Sequence, residues 1–346
     1  MKIKAYGSTS PDSDLAELSI IRRDMGNDDL LIEILYCGIC HSDIHMAHDE
    51  WGMSAYPIVP GHEIIGKVIS AGKNVSRFKV DSIVGVGCMV GSCHQCPACD
   101  KNMEQFCPNM VMTFGSPDPF IAGQMTYGGY STHIVVPERF VLRVGAHLDL
   151  TRVAPLLCAG ITTYSPMKQW EIGKNSVIGI IGLGGLGHMG VKFGKAMGAH
   201  VTVITSTESK KSDALALGAD EAVILSDDQQ MKKYVNHFDF LLDTTPVLHD
   251  INPYLQLLKF NKTLALVGAA PVSLHSMNLI FGKKHVSGSL IGGVAETQEM
   301  LDYCAEHNIL ADTELITVND INSAYERVIN SDIKYRFVID MASLKH

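Results

Sequence analysis

The first 146 residues carry short apolar runs that are separated by Gly, Pro, Asn and Asp. Runs of this length with turn-forming residues at both ends are typical of β-strands. The pattern therefore predicts a β-rich region at the start of the chain. The clearest runs are residues 30–34, 64–70, 83–87 and 131–136.

From Pro155 onward the pattern changes. Val177–Ile181 is one continuous apolar run, as expected for a parallel strand that is buried on both faces. A glycine turn and a helical pattern at 186–198 follow it, and further apolar runs alternate with helical stretches. This alternation predicts a doubly wound parallel sheet. The further runs are residues 201–204, Glu221–Ile224, 238–242, 262–267 and 286–291, and the tail adds a helix at 299–306 and a strand at 336–341.

Length and charge narrow the class of protein. A chain of 346 residues is long enough for two domains. The formal net charge is −9 and Lys and Arg form no run, so no nucleic-acid partner is expected. No apolar stretch approaches the ~20 residues that span a bilayer, and residues 1–10 lack a signal-peptide pattern. We therefore expect a cytoplasmic protein with no membrane partner.

Nine cysteines in such a chain are expected to be reduced, and clustered thiols usually hold a metal ion. Four thiolates can surround one ion tetrahedrally, which is the arrangement of a structural zinc site. An iron–sulfur cluster is the alternative, since thiolates suit it as well. The longer last spacing and the prolines in the loop favour zinc. The four residues are Cys93, Cys96, Cys99 and Cys107.

A G-x-G-x-x-G sequence follows the apolar strand Val177–Ile181 and opens a helical pattern. This context makes the motif informative, because the glycines permit a tight turn and a close approach of the backbone to a pyrophosphate. The sequence therefore predicts a dinucleotide site. Its residues are Gly182, Leu183, Gly184, Gly185, Leu186 and Gly187.

The segment after the run 201–204 indicates which dinucleotide is bound. An NAD site usually places Asp or Glu at the end of this strand, where it binds the ribose 2′-hydroxyl. Small hydroxyls and two lysines stand here instead, and these suit the 2′-phosphate of NADP. Glu208 does not fit, and it would favour NAD if the strand ended later. The predicted phosphate-binding residues are Ser206, Thr207, Lys210 and Lys211.

Several separate segments resemble the zinc-containing medium-chain dehydrogenases, and specifically their cinnamyl alcohol dehydrogenase branch. The resemblance covers essentially the whole chain. It is carried by the Cys-His-Ser-Asp segment 40–43, the Pro-Gly-His-Glu segment 60–63, the cysteine cluster, the Pro-Leu-Leu-Cys-Ala-Gly segment 155–160, and the tail segments 297–302 and 336–340.

The resemblance implies a second, catalytic zinc ion, with Cys40, His62 and Cys158 as its ligands. Catalytic zinc sites combine three protein ligands with an open position for water or substrate. Glu63 would be a neighbour that can replace water on the metal, and Asp43 would orient His62. Two zinc ions per chain, one catalytic and one structural, are therefore expected.

Removal of a proton from a buried alcohol needs a route to solvent. Ser42 can accept and donate through one hydroxyl, and His45 titrates near neutrality, so the two could form this relay. A turn hydrogen bond for Ser42 and an ordinary surface position for His45 are the alternatives.

The fold that the resemblance implies is α/β. A β-rich GroES-like catalytic domain of residues 1–146 and 290–346 would be joined to a Rossmann dinucleotide-binding domain of residues 147–289. A homodimer is also implied, through an exposed sheet edge at 286–291. Cofactor contacts are implied at Thr162, Thr244, Gly268, Ser289, Leu290 and Ile291.

The predicted function is hydride transfer between NADP(H) and a primary alcohol or aldehyde. Trp51, Met53 and Phe114 could border the substrate, and large apolar side chains there would favour aromatic or medium-length aliphatic aldehydes. Three alternatives stay open: an NAD-dependent polyol or simple alcohol dehydrogenase, a zinc-free quinone reductase, and a non-catalytic protein that binds NADPH and zinc.

Overall fold

A computed structural model describes residues 1–345, apart from the side chain of Asp228. Contacts within the chain divide it into two compact units. The first contains Met1–Cys158 and the tail from Gly292 onward, and the second is Ala159–Ile291. The first unit is therefore discontinuous in sequence, with the second inserted into it.

The first boundary lies at Cys158, later than residue 146 where the sequence places it. Residues 147–158 belong with the first unit because the 3₁₀ helix Ala154–Leu157 is completely buried against strands of its sheet. The second boundary, between Ile291 and Gly292, lies close to the expected one at residue 290.

The first unit is β-rich up to Cys158, as the apolar runs predict. Buried and exposed positions alternate along Lys2–Gly7, which is the pattern of a strand with one face in the core. The elements of this part are β1 (Lys2–Gly7), β2 (Ala16–Ile21), β3 (Asp29–Gly38), α1 (His41–Ala47), β4 (Ile64–Ala71), β5 (Ile83–Val86), β6 (Met89–Gly91), β7 (Val111–Met112), β8 (His133–Pro137), β9 (Val141–Arg143) and α2 (Leu150–Val153).

The second unit is built on a six-stranded sheet whose strand pairs are all parallel. This confirms the predicted doubly wound fold. Its elements are α3 (Ala159–Gln169), β10 (Val177–Ile181), α4 (Gly187–Ala196), β11 (His200–Thr205), α5 (Glu208–Ala216), β12 (Glu221–Ile224), α6 (Asp228–Lys233), β13 (Phe238–Asp243), β14 (His249–Asp250), α7 (Asn252–Leu257), β15 (Leu258–Leu266), β16 (Val272–Ser273), α8 (Met277–Ile280) and β17 (His285–Gly288).

The strand order in this sheet is β12-β11-β10-β13-β15-β17. The order reverses between β10 and β13, and in doubly wound sheets ligands bind beyond the carboxyl ends of the strands at such a point. A core of aliphatic and aromatic side chains covers the sheet, with Ile181, Phe238, Leu241, Leu255 and Leu264 almost fully buried.

The tail completes the first unit. It adds α9 (Val294–His307), β18 (Thr313–Ile316), α10 (Ile321–Ile329) and β19 (Arg336–Asp340). The seven-stranded sheet of this unit then has the order β18-β19-β3-β4-β5-β9, with β8 paired to β3. Short 3₁₀ helices lie at Cys99–Lys101, Glu104–Phe106, Glu138–Phe140, Ala154–Leu157, Val318–Asp320 and Met341–Leu344.

The structure differs from the sequence prediction at several element ends. The strand expected at 286–291 ends at Gly288. Ile291 lies outside it and has a φ of 36°, which is not an extended conformation. β15 begins before residue 262, and α9 begins before residue 299. Among the described helices, none is long and apolar enough to cross a membrane.

Candidate active site

Helix α1 carries three of the predicted residues, Ser42, Asp43 and His45. It begins directly after Cys40, which is its N-cap residue. The Cys40 amide donates a hydrogen bond of 2.8 Å to Oδ2 of Asp43, so the helix start fixes the backbone of the expected metal ligand.

The buried Asp43 carboxylate also fixes His62. Its Oδ1 accepts hydrogen bonds from the Gly61 amide at 2.8 Å and from Nδ1 of His62 at 3.0 Å. Nδ1 of His62 therefore carries a proton, which leaves Nε2 as the nitrogen that would bind a metal. Gly61 has a φ of 104°, which favours glycine, and a Cβ there would lie 2.8 Å from Sγ of Cys37.

The structure brings Cys40, His62 and Cys158 together, with Glu63 beside them. One ligand atom of each lies within 4.8 Å of those of the other three. Sγ of Cys40 is 3.9 Å from Sγ of Cys158. Thiolates on one tetrahedral zinc, at ~2.3 Å each, lie about 3.8 Å apart, so the donor set and its spacing fit zinc.

The two thiols have opposite pKa shifts. A hydrogen bond from Cys158 holds the pKa of Cys40 well below its usual range. The same contact raises the pKa of Cys158. The pair therefore carries negative charge readily, as a site for a cation requires.

Glu63 is completely buried, and its two carboxylate oxygens have different surroundings. Oε1 accepts a hydrogen bond from the Arg336 guanidinium. Oε2 has no hydrogen-bond partner among the described residues. Burial raises the pKa of Glu63 to about 7, while Arg336 acts in the opposite direction. A buried carboxylate oxygen without a partner is costly, so Oε2 is another observation that fits a cation at this site.

Ser42 and His45 lie on the same helix as Cys40. Oγ of Ser42 is 3.8 Å from Sγ of Cys40. Nδ1 of His45 is 2.5 Å from Oε2 of Glu50, and the side chain of Glu50 is half exposed. Among the described residues the structure gives no direct hydrogen bond between Ser42 and His45, so a relay needs a group between them. Glu50 was not predicted from the sequence, although it lies only five residues after His45.

The three apolar residues expected near the substrate lie in different environments. Phe114 is buried and stacks on His62, with ring centroids 5.7 Å apart. The ring centroids of Trp51 and His45 are 4.9 Å apart. Trp51 is 39% exposed and Met53 is 57% exposed.

The cysteine cluster forms a second site. One sulfur of each of Cys93, Cys96, Cys99 and Cys107 lies within 4.8 Å of the others. Sγ of Cys107 accepts hydrogen bonds from the amides of Cys93 at 3.3 Å and Asn109 at 3.4 Å. A hydrogen bond with Ser92 lowers the pKa of Cys99 to about 7. Four sulfurs that converge in this way fit a closed structural zinc site.

The glycine turn between β10 and α4 has the geometry that a bound pyrophosphate requires. Gly182 has a φ of 86°, and a Cβ on Gly187 would lie 2.2 Å from the Gly182 carbonyl oxygen. A Cβ on Gly184, in contrast, would meet no atom within 4 Å, so open space adjoins the turn. The backbone is therefore free to approach a ligand at the start of α4.

The segment after β11 separates Glu208 from the strand. β11 ends at Thr205, and Thr207 is the N-cap of α5, whose first residue is Glu208. Glu208 is exposed and lies 3.9 Å from Nζ of Lys211. An acid within the helix does not have the position of the residue that binds the ribose of NAD, which stands at the strand end.

The other predicted cofactor residues of the second unit lie near the carboxyl ends of its strands or on α3. Oγ1 of Thr244 donates to the Ile181 carbonyl at 2.8 Å, directly before the glycine turn. The Gly268 amide donates to the Asp243 carbonyl at 3.3 Å, and the Ser289 amide to that of Leu266 at 3.1 Å. Thr162 is buried in α3, and Leu290 is 48% exposed.

Comparison with known proteins places the chain in a family. Residues 26–146 match the family described as alcohol dehydrogenase GroES-like domain. Residues 185–306 match the family described as zinc-binding dehydrogenase. The class of protein that the fold and the site define is thus an oxidoreductase with a zinc-binding catalytic unit and a dinucleotide fold.

Individual relatives match over nearly their full length. The chain is 48% identical to the aldehyde reductase YahK of Escherichia coli, over 99% of both chains. It is 48% identical to cinnamyl alcohol dehydrogenase 8 of Arabidopsis thaliana, over 98% of this chain and 96% of the relative. The crystal structure of CAD from Helicobacter pylori complexed with NADP(H) superimposes with a TM-score of 0.94 at 43% identity, over 99% of both chains.

The chain belongs to the zinc-dependent medium-chain alcohol dehydrogenases, in the cinnamyl alcohol dehydrogenase branch. This confirms the family, the fold class and the enzyme class that the sequence motifs predict.

Proposed function

We propose that the protein interconverts primary alcohols and aldehydes by hydride transfer, with NADP(H) as the cofactor. The observation that carries the proposal is the convergence of Cys40, His62 and Cys158, next to a helix that also bears Ser42 and His45. The balanced reaction is alcohol plus NADP⁺ to aldehyde plus NADPH and one proton.

Each residue near Cys40 has a distinct task in this reaction. Zinc held by the two thiolates and the imidazole supplies a Lewis acid that polarises the substrate oxygen. Asp43 keeps the His62 ring oriented through its hydrogen bond of 3.0 Å. Arg336 holds one oxygen of Glu63, and the other oxygen has no hydrogen-bond partner among the described residues.

Ser42 and His45 carry the proton. The Ser42 hydroxyl accepts it from the substrate side and donates its own hydrogen onward. His45 receives the proton through a group that lies between it and Ser42, and releases it to solvent, with Glu50 beside its Nδ1. In aldehyde reduction the same route runs in reverse.

NADP is proposed over NAD because Glu208 stands within α5 instead of at the end of β11. Ser206 and Thr207 supply hydroxyls, and Lys210 and Lys211 supply positive charge, for a 2′-phosphate. The NADP(H) complex of the Helicobacter pylori relative is consistent with this choice.

Aromatic or medium-length aliphatic aldehydes are the proposed substrates. Phe114 stacks on the ligand His62, which places an aromatic surface at the metal site. The Trp51 ring lies against the ring of His45, which is in the last turn of α1. Apolar surfaces of this kind bind a hydrocarbon or aryl group more readily than a polyol.

The decisive experiment measures initial rates of NADPH and NADH oxidation with cinnamaldehyde as substrate. Fast aldehyde-dependent oxidation of NADPH, with little from NADH, is the expected result. A preference for NADH would overturn the cofactor assignment and point to Glu208. A zinc-loaded protein that turns over neither aromatic nor aliphatic aldehydes would instead favour the non-catalytic alternative.

We also propose that the protein is a cytoplasmic homodimer. The nine cysteines are free, as in a reducing compartment. β17 is an edge strand of its sheet, and apolar side chains near it are exposed: Phe281 to 83%, Ile280 to 67% and Leu290 to 48%. Unpaired strand edges with exposed apolar neighbours are surfaces that a second copy can cover.

A further inference from the structure

The loop between β13 and β14 is closed by a single histidine. His249 begins β14, and residues 244–248 connect it to Asp243 at the end of β13. Nε2 of His249 lies 2.7 Å from Oδ2 of Asp243. Nδ1 of the same ring lies 2.7 Å from the carbonyl oxygen of Val247. Both ring nitrogens therefore face an oxygen at hydrogen-bond distance.

This geometry specifies the protonation state of the ring. A backbone carbonyl and a carboxylate are acceptors only, and Oδ1 of Asp243 already accepts the Thr245 amide at 3.0 Å. A neutral imidazole has one N–H group and would point a lone pair at one of the two oxygens. With Asp243 ionised, only the doubly protonated imidazolium donates to both oxygens.

The loop is in turn attached to the predicted dinucleotide site. Thr244 donates through its amide and its hydroxyl to the Ile181 carbonyl, at 3.0 and 2.8 Å, immediately before Gly182. On the other side, a Cβ on Gly268 would lie 2.1 Å from the Thr245 carbonyl oxygen. The loop thus lies directly against the glycine turn and the Gly268 turn, with no room for a shift toward Gly268.

We propose that His249 is a positioning residue for cofactor binding, whose imidazolium holds the 244–248 loop against the glycine turn. The inference rests on the proposed function, because it concerns binding of the dinucleotide. His249 contacts Asp243 at the carboxyl end of β13. It lies outside the sequence motifs that predict the phosphate and zinc sites.

The charged surroundings of His249 favour its protonated form. Burial by itself lowers the pKa of His249, but the Val247 carbonyl and Asp243 outweigh it, so the pKa is raised above the usual value. Asp250 on the same strand adds to this effect. Tyr254 on α7 lies edge-on to the ring and stays neutral, since burial raises its pKa to about 12. The paired strand Val272–Ser273 contributes no ionisable group.

The sign of the pH effect follows from the raised pKa. The imidazolium is present below the pKa of the folded state and is lost as the pH rises through it. Dinucleotide affinity should therefore decrease toward alkaline pH. The test measures NADP⁺ dissociation constants by calorimetry between about pH 6 and about pH 9. We expect the wild-type constant to rise on the order of tenfold across this range.

Two variants separate His249 from other titrating groups. His249→Gln should bind NADP⁺ more weakly at low pH, and most of the pH dependence should disappear. His200→Gln removes an exposed histidine at the start of β11, at the amino end of the same sheet, and should keep the wild-type profile. NMR of the wild-type ring should give a raised pKa and show both ring N–H groups at low pH.

The outcomes distinguish the inference from the proposed function. If His249→Gln keeps the wild-type affinity and pH profile, or if NMR finds a neutral ring at low pH, His249 is not the positioning residue and the function stands. If the wild-type protein binds neither NADP⁺ nor NAD⁺ at any pH, the proposed function and the inference both fail. Should His249→Gln fold poorly, the NMR titration of the unmodified protein still decides.

Discussion

At the scale of single residues, Ser42 can be tested without disturbing the metal ligands. Its Oγ lies 3.8 Å from Sγ of Cys40, and it lies on the first turn of α1. Ser42→Ala should lower kcat about a hundredfold, because positioned proton transfer contributes ~10²–10⁴. Binding of NADP⁺ and zinc content should stay unchanged.

The measurement is kcat together with the solvent deuterium isotope effect. Ser323→Ala, which removes an exposed hydroxyl on α10, is the matched control and should behave as wild type. If Ser42→Ala retains the full rate, the relay assignment is wrong and Ser42 has only a local structural role.

Glu208 gives a second prediction at the residue scale. Its exposed carboxylate lies 3.9 Å from Nζ of Lys211 and reduces the positive charge available to a 2′-phosphate. Glu208→Gln should tighten NADPH binding about two- to fivefold, as expected for one exposed charge. NADH binding should not change, because NADH lacks that phosphate.

The dissociation constants of both dinucleotides can be measured by fluorescence quenching. Glu306→Gln alters an exposed acid on α9 and should change neither constant. An equal change for NADH and NADPH would show that Glu208 does not act on the 2′-phosphate.

Some contacts between residues of the site could be predicted from the sequence, and others could not. Asp43 and Cys40 are three residues apart on one helix, so their capping interaction follows from local spacing. Arg336 lies 273 residues from Glu63, and no local pattern marks the pair. His249 was not predicted either, because its contacts to Asp243 and Val247 depend on how one loop folds back.

At the scale of elements, the continuous apolar strands were the easiest to predict. β10 and β12 have the predicted bounds, and β10 shows why: a parallel strand that is buried on both faces gives an uninterrupted apolar run. β14 and β16 have only two residues each, too few for any periodicity. α3 was not predicted, because it is buried on nearly all sides and contains Pro166.

The cysteine cluster also supports a neighbouring element. Glu104, three residues before Cys107, accepts the Val294 amide at 3.2 Å, at the start of α9. A Cβ on Gly293 would lie 1.8 Å from the Asn102 carbonyl oxygen, so the two segments are in close backbone contact. Order in the cluster should therefore determine order in the first turn of this helix.

Cys99→Ser tests this coupling. We expect zinc content to fall from two ions per chain to one, since the other donor cluster is intact. The free energy of unfolding should fall by at least ~3 kcal/mol, a part of the ~10–16 kcal/mol typical of structural zinc binding. Hydrogen exchange should increase at Val294 and its neighbours.

Cys304→Ser is the control, because it changes a buried cysteine of α9 that belongs to neither donor cluster. It should keep two zinc ions. If hydrogen exchange at the start of α9 is unchanged in zinc-depleted Cys99→Ser, order in this helix does not depend on the cysteine cluster.

At the scale of the whole molecule, the exposed edge of the parallel sheet leads to a prediction about assembly. Phe281 is 83% exposed beside β17, where we propose that a second copy binds. Phe281→Asp should convert the dimer to a monomer, because a charge in an apolar interface is poorly tolerated. Sedimentation equilibrium gives the mass directly.

Phe120→Asp replaces another exposed aromatic residue, on the first unit, and should leave the dimer intact. A monomeric wild-type protein would refute the proposed dimer. A tetramer would require a second surface in addition to this edge.

Cys158, a proposed zinc ligand, is the last residue of the first unit, and Ala159 is the first of the second. This position matters when the second unit is replaced by that of a related enzyme. A chimaera that replaces the insert from residue 147, the domain start that the family resemblance implies, would also replace Cys158 with the residue that the donor protein carries there. A junction after Cys158 would leave the metal chemistry with its original host and transfer only the dinucleotide preference.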